Sequence, residues 1–423
     1  MGRYINMKTS KEILNAFSQS HASASCSMNL RFQTFKNIFR FRVINTILNL
    51  LFVFKNTLIN CKINVLLIIF SSIFFLACNP TEPTIPEEVD INIVVEKLTI
   101  YDTENSDIPD NYNRALAVDN QNNIWVGSFN GIAKFDGSNW TVYNTDNSGL
   151  SNNSIKCITV DYNNDVWIGT SNGLTKFDGQ NWTVYDTTNS PLPYRYIPSL
   201  AVDMNNLLWI GCGHFTAGGV LTFDGNKWEL YTKENSLLPS SIINTIHIDI
   251  KNNKWIGTAS GLVKIDNGDN WSVYTAQNWK LSYDYNSVDA ITSDLDGNIW
   301  LGFKAWIRLD YGYFHGALLQ FDGNNWTDYS PHPNGKYDST AIVSNRVAEI
   351  VCDKYGYLWI ATETEWKFPY NLSLFKNGVW KNLSDIAEDF PINPFINDIK
   401  INKNNTVWVA TQLGVISINY SLK

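Results

Sequence analysis

The chain has 423 residues, of which 14% are aromatic and 17% charged, a balance that suits a large β-rich core and argues against a disordered chain. The first 77 residues hold nine of the 32 Lys and Arg but only one of the 40 Asp and Glu, which leaves a net charge of −16 on the remainder. Such a surface repels phosphate backbones and argues against nucleic acid as a partner.

Residues 1–61 are basic and weakly patterned, and they read as an overcalled start or an unstructured stretch. Within residues 62–77, Lys62 is followed by an apolar run from Ile63 to Phe75 and then by Leu76-Ala77-Cys78. A short apolar run ending at small residues reads as a secretory signal peptide and not as a spanning helix. The ending Leu-Ala-Cys resembles the bacterial lipoprotein lipobox, although Phe75 stands where an aliphatic residue is usual. That resemblance implies acylation of Cys78. The lipid would be the only membrane attachment, placing the protein in the cell envelope at the outer membrane, on its periplasmic or surface side. The alternative is an uncleaved anchor over the same stretch. Residues 78–93, with Pro80, Pro83 and Pro86 among Glu82, Glu87 and Glu88, read as an extended, flexible tether.

From residue 94 a unit recurs. One copy runs Ile158-Thr159-Val160-Asp161, Val166-Trp167-Ile168-Gly169, Gly173 to Gly179, and Trp182-Thr183-Val184-Tyr185. Short β-branched and aromatic runs bounded by turn residues predict a four-stranded meander, strands a to d. Asn172-Gly173 and Asp178-Gly179 are read as hairpin turns with φ above zero at both positions. Seven strand-b tryptophans (Trp125, Trp167, Trp209, Trp255, Trp300, Trp359, Trp408) face only six in strand d (Trp140, Trp182, Trp228, Trp271, Trp326, Trp380). The missing strand d is found at the other end, where Leu98 to Ser106 aligns with Trp182 to Ser190. The prediction is an all-β, seven-bladed β-propeller over residues 94–423, closed by its own N-terminal strand. A linear solenoid is the alternative, but it gives no reason for the split repeat.

The stretch Gly149-Leu150-Ser151-Asn152, Val160-Asp161, Val166-Trp167-Ile168-Gly169-Thr170 and Asn172-Gly173-Leu174 resembles the two-component regulator propeller family. In that family the propeller is often the extracytoplasmic sensor of a hybrid histidine kinase, frequently for polysaccharide fragments. The resemblance therefore implies ligand binding. Because no kinase segment follows blade seven in this sequence, a direct signalling role is not carried over.

In a meander the a–b and c–d turns share one face, and the b–c and d–a loops share the other. The interval from the strand-a acid to the strand-b Trp is constant, from Asp119–Trp125 through Asn402–Trp408. The b–c and d–a loops vary instead, most of all in blade five, from Trp300 to Phe321 and from Trp326 to Asp353. Long loops on a rigid scaffold are where binding residues sit. The b–c/d–a face, centred on blades three to six, is thus the predicted ligand face. Its aromatics include Tyr196, Trp279, Tyr283, Trp306, Tyr313 and Trp366. Beyond residue 77 the chain has four arginines, Arg114, Arg195, Arg308 and Arg346, all at this face. Arginine suits carboxylates, which suggests an acidic glycan, with pairing to loop acids such as Asp310 as the structural alternative. His214 and His315 fall on the same face, whereas His247, in strand a, is assigned to the core.

The expected ligand site is therefore Arg195, Tyr196, His214, Tyr283, Trp306, Arg308, Tyr313, His315, Arg346 and Trp366, binding a glycan or a protein. The favoured reading is non-catalytic capture by a monomer. Alternatives are a polysaccharide lyase or glycosidase on the same face, and a protein-interaction scaffold. No cofactor, metal or disulfide is expected; Cys157, Cys212 and Cys352 have no ligand spacing and read as buried free thiols.

Overall fold

The computed structural model describes residues 91–214, 217–279, 286–303, 316–329, 346–363, 371–391 and 394–423. Blade two shows how the sequence makes one unit. Its strands, Ile155–Val160, Val166–Thr170, Gly173–Phe177 and Trp182–Tyr185, pair antiparallel in that order. Strand b, flanked on both sides, is buried at every residue, whereas strand d at the rim leaves Thr183 exposed. The a–b turn is organised by one carboxylate. Asp161 Oδ1 accepts the amides of Asn163 (2.9 Å) and Asp165 (3.0 Å), and Oδ2 accepts the Trp167 indole N–H at 3.0 Å. The constant Asp-to-Trp interval follows, because a change of spacing would break either the turn or the indole bond.

The turn reading needs a correction. In Asn172-Gly173 only the glycine has positive φ (114°), and it follows the turn; a Cβ there would lie 2.6 Å from the Tyr185 carbonyl. In Asp178-Gly179 likewise only Gly179 is positive, at 97°. The aspartate instead caps a four-residue turn, its Oδ1 accepting the Gln180 and Asn181 amides. Both central residues are positive in blade six, at Asn377 (51°) and Gly378 (85°), where the turn has only two residues.

Seven four-stranded sheets form, and their innermost strands contact one another in a closed ring. Seven hydrophobic clusters fill the seven interfaces between blades. Five of them repeat one aromatic arrangement, and Ile265 and Ile418 replace its phenylalanine at the three–four and six–seven interfaces. At the first interface Trp125 stacks on Tyr143 (6.0 Å) and meets Phe177 of the next blade edge-on (6.0 Å). The strand-b and strand-d aromatics are therefore inter-blade core.

Closure is as predicted. The N-terminal strand Ile93–Tyr101 pairs antiparallel with the last strand, Gly414–Leu422, and completes blade seven. Tyr101 stacks on Trp408 at 5.8 Å and meets Trp140 of blade one edge-on at 5.4 Å. A second set of ties runs along the a–b turns. Asn122, Asn164, Asn206 and Asn252 take positive φ, and each side chain accepts an amide N–H from the preceding blade. The bond from Lys403 N–H to Asn122 (2.9 Å) carries this ladder across the closure.

Candidate functional site

Strand a reaches the b–c/d–a face through a β-bulge. Register slips between Asn113 and Ala115, Ile155 and Cys157, Ile243 and Thr245, Val347 and Glu349, and Ile396 and Asp398. A bulge re-aims the extra side chain. That residue is Arg114 in blade one and Lys156 in blade two. Both converge on Phe129, whose ring lies in the b–c turn of blade one and is 40% exposed. Arg114 Cζ lies 5.2 Å and Lys156 Nζ 5.3 Å from the ring centroid, and Lys156 also sits 5.7 Å from the Tyr196 ring. Tyr112 supports Phe129 from the side at 5.1 Å. The Lys156 ammonium donates to Ser154 Oγ at 3.0 Å. Burial, with the Arg114 guanidinium adding to it, lowers this amine to about 8.

Of the expected site residues, Arg195 and Tyr196 belong to this cluster's surroundings. Arg195 Nη1 reaches Asn172 Oδ1 at 3.4 Å, a weak bond by its length. His214 ends strand b of blade three opposite Ala217, and Arg346 begins strand a of blade six opposite Glu363. Tyr283, Trp306, Arg308, Tyr313, His315 and Trp366 lie outside the described residues. The described cluster thus sits over blades one to three, not over the three-to-six arc favoured by loop length. Trp279, one of the loop aromatics, ends the helical turn Ala276–Trp279, is 4% exposed, and packs edge-on against Phe303 and Trp326 as core. Sequence reasoning missed Phe129 and Lys156. A signal existed: five positions before the strand-a acid, blades one and two carry Arg114 and Lys156, where the others carry Pro198, Asn244, Asp289, Ala348 and Asn397.

Deeper along the axis, His247 is half-buried on the wall lined by strands a. Its Nε2 meets Ser293 Oγ of the next blade at 3.0 Å. Burial lowers the imidazole to about 4, Asp249 opposes this and Lys400 adds to it. Lys400, 37% exposed, pairs with Asp398 at 2.5 Å, and Asp398 also accepts the Leu116 amide at 2.7 Å. His247 is thus a channel-wall residue, and not only core. Cys212 is buried, but Cys157 and Cys352 are half-buried, which corrects the expectation that all three are buried. Burial pushes the Cys212 and Cys352 thiols up to about 12. Among the described residues no group of three or more His, Cys, Asp or Glu could hold a metal ion, and no helix is long and apolar enough to cross a membrane.

The opposite face carries two features. A cavity of about 280 Å³ opens between blades five and six, bounded by Asp294, Gln320, Tyr329, Tyr355 and Lys376. At the position of Gln320, blades one, two and four place Lys134, Lys176 and Lys264 over their indoles. At one turn position in blades two to five, Tyr162, Met204, Ile250 and Leu295 are 62%, 49%, 62% and 60% exposed.

Solved structures with this fold include virginiamycin B lyase from Staphylococcus aureus (16% identity, TM-score 0.56, covering 77% of this chain and 99% of that one). The extracellular domain of a hybrid two component system, BT3049, from B. thetaiotaomicron is similar at 20% identity and TM-score 0.57 over 77% of this chain and 42% of that one. PorZ, a surface component of the type-IX secretion system of Porphyromonas gingivalis, is similar at 16% identity and TM-score 0.55, over 76% of this chain and 47% of that one. The chain therefore spans less than half the length of these last two. At such identities the likeness shows the fold alone. No curated protein matches the chain. The Two component regulator propeller family matches at residues 107–130 and 149–172, the stretches that hold Arg114, Phe129 and Lys156. The chain thus carries two stretches, one in blade one and one in blade two, that match the two-component regulator propeller repeat.

Proposed function

We propose that this propeller is an extracytoplasmic binding module, lipid-anchored through Cys78, that captures an acidic glycan on its b–c/d–a face without turning it over. The observation carrying this reading is the half-open Phe129 ring at that face, attended by two cations and Tyr196. Sugar rings stack on exposed aromatic faces, and guanidinium groups select carboxylates. The rest of the chain beyond residue 77 is strongly acidic, so cations gathered at one mouth set this spot apart. The extracellular domain similar in fold is named as part of a two component system, a setting that suits a binding role. Soluble residues 91–423 on a glycan array test the reading. Retention of acidic glycans, unaltered after incubation, is the expected result. Cleaved product would favour the lyase or glycosidase reading, and a silent array with folded protein would sink glycan capture.

A second reading, a protein-interaction scaffold, is favoured by the arc of Tyr162, Met204, Ile250 and Leu295 on the opposite face. Apolar groups exposed at one turn position of four consecutive blades suit a protein contact.

A further inference from the structure

We propose that Arg114 and Lys156 form a two-pronged clamp for one anionic group, a carboxylate carried on a sugar ring, with Phe129 as the platform on which that ring stacks. This deepens the capture reading and rests on it for the sugar, though not for the anion. Three observations carry it. The two cations are the bulged residues of adjacent innermost strands, so the fold aims both at one mouth. Both lie just over 5 Å from the same exposed ring, at 5.2 and 5.3 Å. Neither forms an ion pair with a described carboxylate. The neighbouring acid, Asp110, is already engaged, accepting from the Tyr112 amide at 2.9 Å and the Asn130 side chain at 3.1 Å.

Two like charges held together without a counter-ion repel, and burial of the amine adds to the cost. A bound anion offsets both terms. It therefore binds more tightly when Lys156 is protonated, and binding draws a proton onto an amine that burial and Arg114 have lowered to about 8. Below pH 8 the amine is charged in both states and affinity is flat. Above pH 8 the free site must take up the proton, so affinity falls, by up to about tenfold per unit, until the bound amine also titrates. The other charged groups on the surrounding elements are Arg195, bonded to Asn172, Asp110, and Asp398, which pairs with Lys400 on the strand packed against that of Arg114.

The test measures the affinity of the full chain for a galacturonate trisaccharide, a neutral galactose trisaccharide and free galacturonate, at pH 7 and pH 9. For the acidic trisaccharide we expect roughly tenfold weakening at pH 9, and tenfold or greater weakening on Arg114→Gln or Lys156→Gln at pH 7. Lys156→Arg should retain binding but lose the pH step, because guanidinium does not titrate there. Phe129→Ala should weaken both trisaccharides. Acidic-trisaccharide binding that is indifferent to pH and to both Gln variants would overturn the clamp while leaving glycan capture standing. Free galacturonate held in an Arg114-dependent way, with neither trisaccharide bound, would keep the clamp and remove the glycan reading. Failure of every anion to bind folded protein overturns the clamp.

Discussion

Asn402 takes the place that aspartate fills in the other six blades, and the exchange has a visible cost. In six blades the second carboxylate oxygen accepts the strand-b indole, at distances from 2.8 Å (Trp300) to 3.4 Å (Trp209). Asn402 has one acceptor oxygen, and the Asn404 and Thr406 amides use it. The Trp408 indole N–H is left buried without a partner. Leaving a buried donor unsatisfied costs about 1–3 kcal/mol. Asn402→Asp should therefore raise unfolding stability by about 1 kcal/mol, read as a higher urea midpoint at unchanged slope. An unchanged midpoint would mean that the indole is satisfied in another way. The other orphan, Asn113 Oδ1, occupies a position that is Ile or Val in the remaining blades, and it too lies at the junction of blades seven and one.

At the scale of the element, the N-terminal strand is the piece whose removal should matter most. It supplies strand d of blade seven, and Tyr101 contacts Phe135, Trp140 and Trp408 across the ring closure. Without that ring the last interface loses its aromatic lock while the other six keep theirs. Tyr101→Ala should cost about 3 kcal/mol or more, as truncation of a packed aromatic does. Hydrogen exchange should then show blades seven and one opening before the rest. Uniform loss of protection around the ring would contradict closure as the weak point. The six–seven interface has a further tie, the Tyr420 hydroxyl donating to Asp353, so loosening is expected on the blade-one side.

The whole molecule decides the behaviour of His247. In an isolated strand it would titrate normally, near 6.5. Here seven inner strands enclose it, and the enclosed ring resists charging, with a value of about 4. Because the folded value lies below the unfolded one, stability is complete above pH 6.5 and is lost as pH falls from 6.5 toward 4. The loss is at most about 3 kcal/mol, on the order of 1.4 kcal/mol per unit, and channel water reduces it. His247→Asn should flatten the pH dependence of unfolding between pH 7 and 4. Equal slopes for the two proteins would show that the imidazole is not what acid attacks.

Blade number, the split repeat and the aromatic interfaces were legible in the sequence, because each depends on local periodicity and on residues at fixed intervals. The Asp-to-Trp spacing announces its own hydrogen bond. The face most open to variation was legible from loop lengths. Of the residues at the candidate site, Arg114 and Tyr196 were assigned to that face from the sequence, whereas Phe129 and Lys156 were not singled out. Phe129, Lys156 and Tyr196 come from three different blades or the connections between them, and no interval in the chain relates them. The bulge that turns Arg114 and Lys156 toward one ring is a property of strand pairing, and so is invisible in a strand read alone. Trp279 shows the converse: it falls in a loop of the chosen face, and Phe303 and Trp326, distant in the chain, bury it. Local chemistry therefore determined the fold, and only the packing of neighbouring blades, which brings the bulge of one strand a beside the loops of the next, decided where charge and aromatic surface meet.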